Sequence, residues 1–188
     1  MSKLSRIFAS SLLVLGLGWA AASAFATPPP DADDSLPKVG QGAPAFTLPS
    51  QDGTPTSLSS FKGKWIVLYF YPKDMTSGCT LEAHNFQQDA EKYEKMHAVI
   101  VGVSVDTVDS HKQFCAKEGL NFKLLSDADK KVVAEYGSLA NYGLMKMAKR
   151  NTFLIDPQGK IAKVWTSVDP SHHSAEVLAE LGADEKKG

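Results

Sequence analysis

The sequence predicts an α/β protein with a mixed central β-sheet flanked by helices and a short N-terminal β extension. Three observations carry this. Trp65 to Tyr71 is an unbroken run of β-forming apolar residues closed by Pro72, the mark of a strand covered on both faces. The segment after it switches to helical spacing, and a second apolar run, Ala98 to Val105, follows, so the two strands are joined by a helical crossover and run parallel. Further on, Thr152 to Asp156 and Lys160 to Trp165 are separated only by the turn Asp156-Pro157-Gln158-Gly159, which makes them antiparallel neighbours.

Taken in order, residues 1–26 stand apart from the fold. Lys3 and Arg6 give a positive start, Ile7 to Trp19 is a short apolar run, and Ala24-Phe25-Ala26 is a small-x-small site. This predicts a secretory signal peptide cut after Ala26, hence an exported, periplasmic protein with no stable membrane insertion after cleavage. Residues 27–38 hold Pro28, Pro29, Pro30 and three aspartates with little to bury, which predicts a flexible leader; the domain is residues 39–188. Ala45 to Leu48 and the turn signals Asp52-Gly53 and Lys62-Gly63 bracket the short extended pieces ahead of the central strand. From Ser77 to Glu94, Cys79, Ala83, Phe86, Ala90 and Tyr93 fall on one helical face. Asp109 or Ser110 can cap a helix that runs through Glu118 and stops at Gly119. Helices over Asp129 to Tyr136 and Ser174 to Leu181 complete the set. That order suits a thioredoxin-like fold.

Composition excludes several function classes. With 43% hydrophobic and 22% charged residues the chain is neither disordered nor collagen-like. Lys and Arg total 20 against 21 Asp and Glu, so no basic surface is predicted for nucleic acid. Two cysteines, Cys79 and Cys115, cannot build a disulfide-dense scaffold or a four-cysteine zinc site. His172-His173 lacks partners at ligand spacing, and there is no glycine-rich phosphate loop, so neither a metal nor a cofactor is expected.

Chemistry concentrates in Tyr71-Pro72-Lys73-Asp74-Met75-Thr76-Ser77-Gly78-Cys79-Thr80-Leu81-Glu82-Ala83, where the central strand hands over to a helix. A thiol in a first helical turn faces the positive end of the macrodipole and unpaired backbone N–H groups, both of which favour a thiolate. Complete conversion of an ordinary thiol to thiolate at neutral pH gains only about thirtyfold. Enzymes achieve about a millionfold or more, so a cation and a hydrogen-bonding group must stabilise the developing charge.

The spacing Pro72-x-x-x-Thr76-x-x-Cys79, set in Leu68-Tyr-Phe-Tyr-Pro-Lys-Asp and followed by Gly78-Cys79-Thr80-x-Glu82-Ala83, resembles a peroxiredoxin of the Q-type or bacterioferritin-comigratory-protein-like branch. Leu125-Ser126-Asp127 and Arg150-Asn151-Thr152-Phe153-Leu154-Ile155-Asp156 match later landmarks, and the resemblance spans Val39 to about Leu181. It implies a thiol-dependent peroxidase for hydrogen peroxide and organic hydroperoxides, recycled by a thioredoxin-like protein reductant, in a largely monomeric branch. Cys79 would be the peroxidatic nucleophile, Thr76 would hold the peroxide, Arg150 would supply the fixed cation, and Pro72 would shield the sulfur. Glu82, three residues beyond Cys79 on the same face, would orient the arginine.

The chain departs from many relatives at two positions. Ser77 stands where a proline is common, and could still cap the helix. His84 replaces a cysteine five residues after Cys79, and its direction on the helix, roughly 140° from Cys79, marks it as a solvated histidine. Cys115 is then the candidate that the resemblance offers for resolving the oxidised Cys79 in an intramolecular disulfide, after local unwinding of both helix ends. His111, one turn before Cys115, reads as an exposed residue near the helix start. The competing reading is a non-enzymatic thioredoxin-fold secreted protein whose Cys79-Cys115 bridge is permanent and structural.

Overall fold

A computed structural model describes residues 36–184. The expected signal peptide and most of the expected leader lie outside the described residues. Ahead of Val39, Pro37 is buried and Leu36 packs against the core.

The first two strands, β1 (Thr47–Pro49) and β2 (Pro55–Ser57), form the antiparallel N-terminal extension. After a single 3-10 turn come β3 (Trp65–Phe70), α1 (Ser77–Gln88), α2 (Ala90–Lys95), β4 (Ala98–Ser104), α3 (Val108–Glu118), β5 (Lys123–Ser126) and α4 (Lys131–Glu135). A small hairpin, β6 (Leu139–Tyr142) and β7 (Met145–Ala148), precedes β8 (Asn151–Ile155), β9 (Ile161–Thr166) and α5 (His173–Asp184). The main sheet has the order β5-β4-β3-β8-β9. β3, β4 and β5 are parallel to one another, whereas β8 is antiparallel to both β3 and β9, which makes the sheet mixed.

The pleat of β3 sorts its side chains between two cores. Ile66, Leu68 and Phe70 face one side, with Val101, Val103, Phe153 and Ile155, beneath Val132 and Val133 of α4 and Phe46 and Leu48 of the extension. Val67, Tyr69 and Tyr71 face the other, against Cys79 and Phe86 of α1, Phe114 of α3 and Val177 and Leu181 of α5. Burial on both faces is why this strand reads as a continuous apolar run rather than an alternation.

Several boundaries differ from the sequence expectation. The helix expected over Ser77 to Glu94 breaks at Asp89, whose carboxylate takes hydrogen bonds from Lys92 and from Ser174 of α5, and α2 follows. α3 is capped by Thr107, whose hydroxyl accepts the Ser110 N–H, rather than by Asp109 or Ser110. It ends as expected at Gly119, which takes the left-handed conformation with φ +65°. α4 is shorter than expected, and β5 and the β6–β7 hairpin were not anticipated as strands.

Candidate active site

The site grows from the carboxyl end of β3, where the chain must turn onto the helical face. Two features shape the loop from Tyr71 to Thr76. Met75 takes a left-handed conformation, φ +60°, which a residue with a side chain rarely adopts. Asp74 is pulled inward, accepting hydrogen bonds from Tyr71, Ser110 and His111. Thr76 then enters the helix extended, and α1 begins at Ser77.

Cys79 is thereby the third residue of α1, in the turn whose N–H groups have no intrahelical acceptors. It is buried, 2% exposed, and accepts a hydrogen bond from Arg150 Nη2 at Sγ, 3.3 Å away. The other arm of the guanidinium, Nη1, donates to Glu82 Oε2. Glu82 is one turn beyond Cys79 on the same side of α1 and is itself buried.

Arg150 reaches this point because of strand register. β8 runs antiparallel beside β3 with Asn151 opposite Phe70, so the residue before Asn151 stands next to the loop that begins α1. Its carbonyl accepts the Val168 N–H at 3.2 Å, which fixes the backbone there. Gly78 completes the fit: a Cβ at that position would lie 3.3 Å from Arg150 Nη2, so a side chain would press on the guanidinium. Nothing local to Gly78 in the sequence signals this contact.

Burial sets the electrostatics. It pushes the Glu82 carboxyl up from 4.5 to about 7 against the opposing pull of Arg150, and Oε1 is buried with no hydrogen-bond partner. Burial disfavours the Arg150 cation too, yet Glu82 and the Cys79 sulfur outweigh that and hold it charged more firmly than an ordinary arginine. The arrangement presents a sulfur nucleophile, a fixed cation that can follow charge as it moves onto oxygen, and a carboxylate that orients the cation.

The remaining expected site residues fall around this centre. Pro72 is half-buried at the loop start. Thr76 is exposed and donates its hydroxyl hydrogen to the Lys73 carbonyl at 3.0 Å, which leaves its oxygen lone pairs as acceptors. Ser77 does not cap: Thr76 holds the cap position, and no side chain makes a cap hydrogen bond there. Cys115, in the second half of α3, is half-buried against the same apolar cluster as Cys79, and both thiols are free. Burial, with Asp74 nearby, pushes the Cys115 thiol up from 9.0 to about 11.

One histidine reading needs correction. His84 keeps 42% of its side chain exposed, with its Nε2 2.8 Å from Glu118 of α3. His111 is fully buried rather than exposed, since its ring is drawn into the interior by Asp74 and by the Leu125 carbonyl.

Comparison with known proteins agrees with the geometry. Residues 39–164 match the AhpC/TSA family. The chain is 44% identical over 148 residues to a putative peroxiredoxin bcp of Coxiella burnetii, covering 77% of this chain and 98% of that protein. It is 41% identical over 172 residues to the chloroplastic peroxiredoxin Q of Sedum lineare, covering 88% of this chain and 91% of the relative. The crystal structure of peroxidoxin BcpB from Mycobacterium tuberculosis superposes with a TM-score of 0.74 at 37% identity, over 78% of this chain and 97% of that one. A thioredoxin-fold sheet, a cysteine at the first turn of the helix after its central strand and these relatives together place the chain in the AhpC/TSA family, among the peroxiredoxins similar to Bcp and peroxiredoxin Q.

Proposed function

We propose that this peroxidase works through Cys79 as a two-cysteine enzyme, with Cys115 as the resolving thiol and a thioredoxin-like protein as the reductant. The observation that carries the reading is the contact of Arg150 with both Cys79 Sγ and Glu82. The Cys79 thiolate attacks the terminal oxygen of a hydroperoxide, the S–O bond forms as the O–O bond breaks, and the departing oxygen takes a proton and leaves as water or an alcohol. Arg150 follows the negative charge from sulfur to the breaking bond, and Thr76, its hydrogen already given to Lys73, can accept the peroxide O–H.

The Cys115 thiol then attacks the sulfenic sulfur. An S–S bond replaces the S–O bond, and hydroxyl and thiol proton leave as water. The reductant's dithiol opens the disulfide by two exchanges and takes the oxidised state away. A half-buried Cys115 held near 11 attacks slowly until its helix opens, so resolution requires local release of α1 and α3. Hydrogen peroxide and organic hydroperoxides are the substrates, the working unit is the monomer, and the N-terminal 26 residues direct the chain to the periplasm.

A Cys115→Ser variant tests the resolving role. Mass spectrometry after one equivalent of peroxide should find it held at the sulfenic or sulfinic acid, with no intramolecular disulfide. Normal cycling of that variant with thioredoxin would end the assignment.

A further inference from the structure

Outside the Cys79 centre, a buried polar network surrounds Asp74. Its Oδ1 accepts the Tyr71 hydroxyl at 2.7 Å. Its Oδ2 accepts the Ser110 hydroxyl at 2.7 Å and faces His111 Nδ1 at 2.8 Å. Its N–H donates to Asp106 Oδ2 at 2.9 Å, and that carboxylate is held in turn by the Ser104 hydroxyl. The other ring nitrogen of His111 faces the Leu125 carbonyl at 3.2 Å.

The His111 ring bridges Asp74 to the Leu125 carbonyl, and its Nδ1 also lies 3.3 Å from the Tyr71 hydroxyl. The Asp74 and His111 side chains are 2% and 0% exposed. Burial alone would raise the Asp74 carboxyl, but His111, Ser110 and Tyr71 together hold it below the usual carboxylate range.

The location gives the network its consequence. Asp74 lies in the loop that aims Thr76 and Cys79, and His111 lies one helical turn before Cys115. Every polar tie in the network that crosses between elements joins the segment ahead of one cysteine to the segment ahead of the other or to the sheet end beneath them.

We propose that Asp74 and His111 are a positioning pair that clasps the Cys79 loop to α3 and sets how often the two cysteine segments release together. With the clasp closed, Cys79 stays beside Arg150 for peroxide. With it open, Cys115 can reach the sulfenic acid and expel water before a second peroxide adds another oxygen to Cys79. This rests on Cys115 being the resolving thiol.

Two variants of the full chain test it. Ser110→Ala removes one hydroxyl from Asp74 and keeps the contact with His111; His111→Gln removes the imidazole. Hydrogen exchange on the reduced protein requires no chemistry at either cysteine. Loss of a charge-assisted hydrogen bond should speed exchange in residues 72–79 and 108–115 together, by about tenfold in Ser110→Ala and more in His111→Gln, while β3 and β8 keep their protection. In the same variants, the peroxide concentration that converts half of Cys79 to sulfinic acid in one turnover should rise about tenfold, because release is faster. Faster exchange in only one segment, or in neither, would overturn the clasp. Coupled exchange with an unchanged sulfinic threshold would overturn its role in resolution. A Cys115→Ser protein that cycles normally would sink the resolving assignment and leave the exchange result to decide the clasp alone.

Discussion

Replacing Glu82 by Gln removes the charge of a buried side chain and keeps its shape and an acceptor oxygen for Arg150. In the native protein burial holds this carboxyl at about 7, against 4.5 for an ordinary glutamic acid. Below about pH 4.5 it is protonated in the folded and unfolded chains alike. Between that pH and about 7 the unfolded chain releases the proton while the folded one keeps it, so stability falls as pH rises through this window and levels off above it. Each pH unit is worth about 1.4 kcal/mol, so the wild type should lose about 3 kcal/mol across the window relative to Glu82→Gln. Subtracting the two profiles removes the contribution of other groups. Urea unfolding of both reduced proteins, from about pH 4.5 to about pH 8 at constant m, measures the difference. Parallel profiles would refute the reasoning, since Glu82 would then titrate alike in both states. The variant should also consume peroxide about tenfold to a hundredfold more slowly above neutral pH, because the guanidinium loses its anionic partner.

Arg150→Lys should lower kcat/KM for peroxide by about a hundredfold to a thousandfold in stopped-flow assays, because one ammonium cannot bridge Cys79 and Glu82 as a planar fork does. A loss smaller than about threefold would mean that the fork is dispensable. Gly102→Ala should destabilise by about 1–3 kcal/mol in urea, since the new Cβ would come within 2.6 Å of Leu124 and 2.7 Å of the Tyr69 ring. An unchanged midpoint would show that β4 shifts freely. In a Cys79→Ser background, iodoacetamide should alkylate Cys115 about a hundredfold more slowly in the folded protein than in the urea-unfolded one, reflecting the rise from 9.0 to about 11. Equal rates would contradict the burial of that thiol.

What the sequence made legible was what local pattern can encode. β3 showed itself because both of its faces are buried, and the Asp156 to Gly159 turn announced the β8–β9 hairpin because Asp156 folds back on the Gln158 and Lys160 N–H groups. β5 escaped because four residues are too few to establish a period, and β6 and β7 because their side chains are largely exposed. Within the site, Cys79 and Glu82 share a helix face by spacing alone. Arg150 depends on the register of β8 against β3, which no local pattern contains; only the resemblance pointed to it. His111 was misread for the same reason. Its partner Asp74 lies 37 residues away, and nothing beside His111 in the chain signals a buried ring. Asp89, at the helix break, likewise has a distant partner in Ser174 of α5.

The most direct test of the account is the reaction of the reduced protein with hydrogen peroxide, followed by rapid mixing and then by mass. The wild type should consume one equivalent at least about a thousandfold faster than free cysteine, with the first oxygen added at Cys79, and Cys79→Ser should lose that reaction entirely. Oxidation of Cys79 at the rate of a simple thiol, or full consumption by Cys79→Ser, would contradict it.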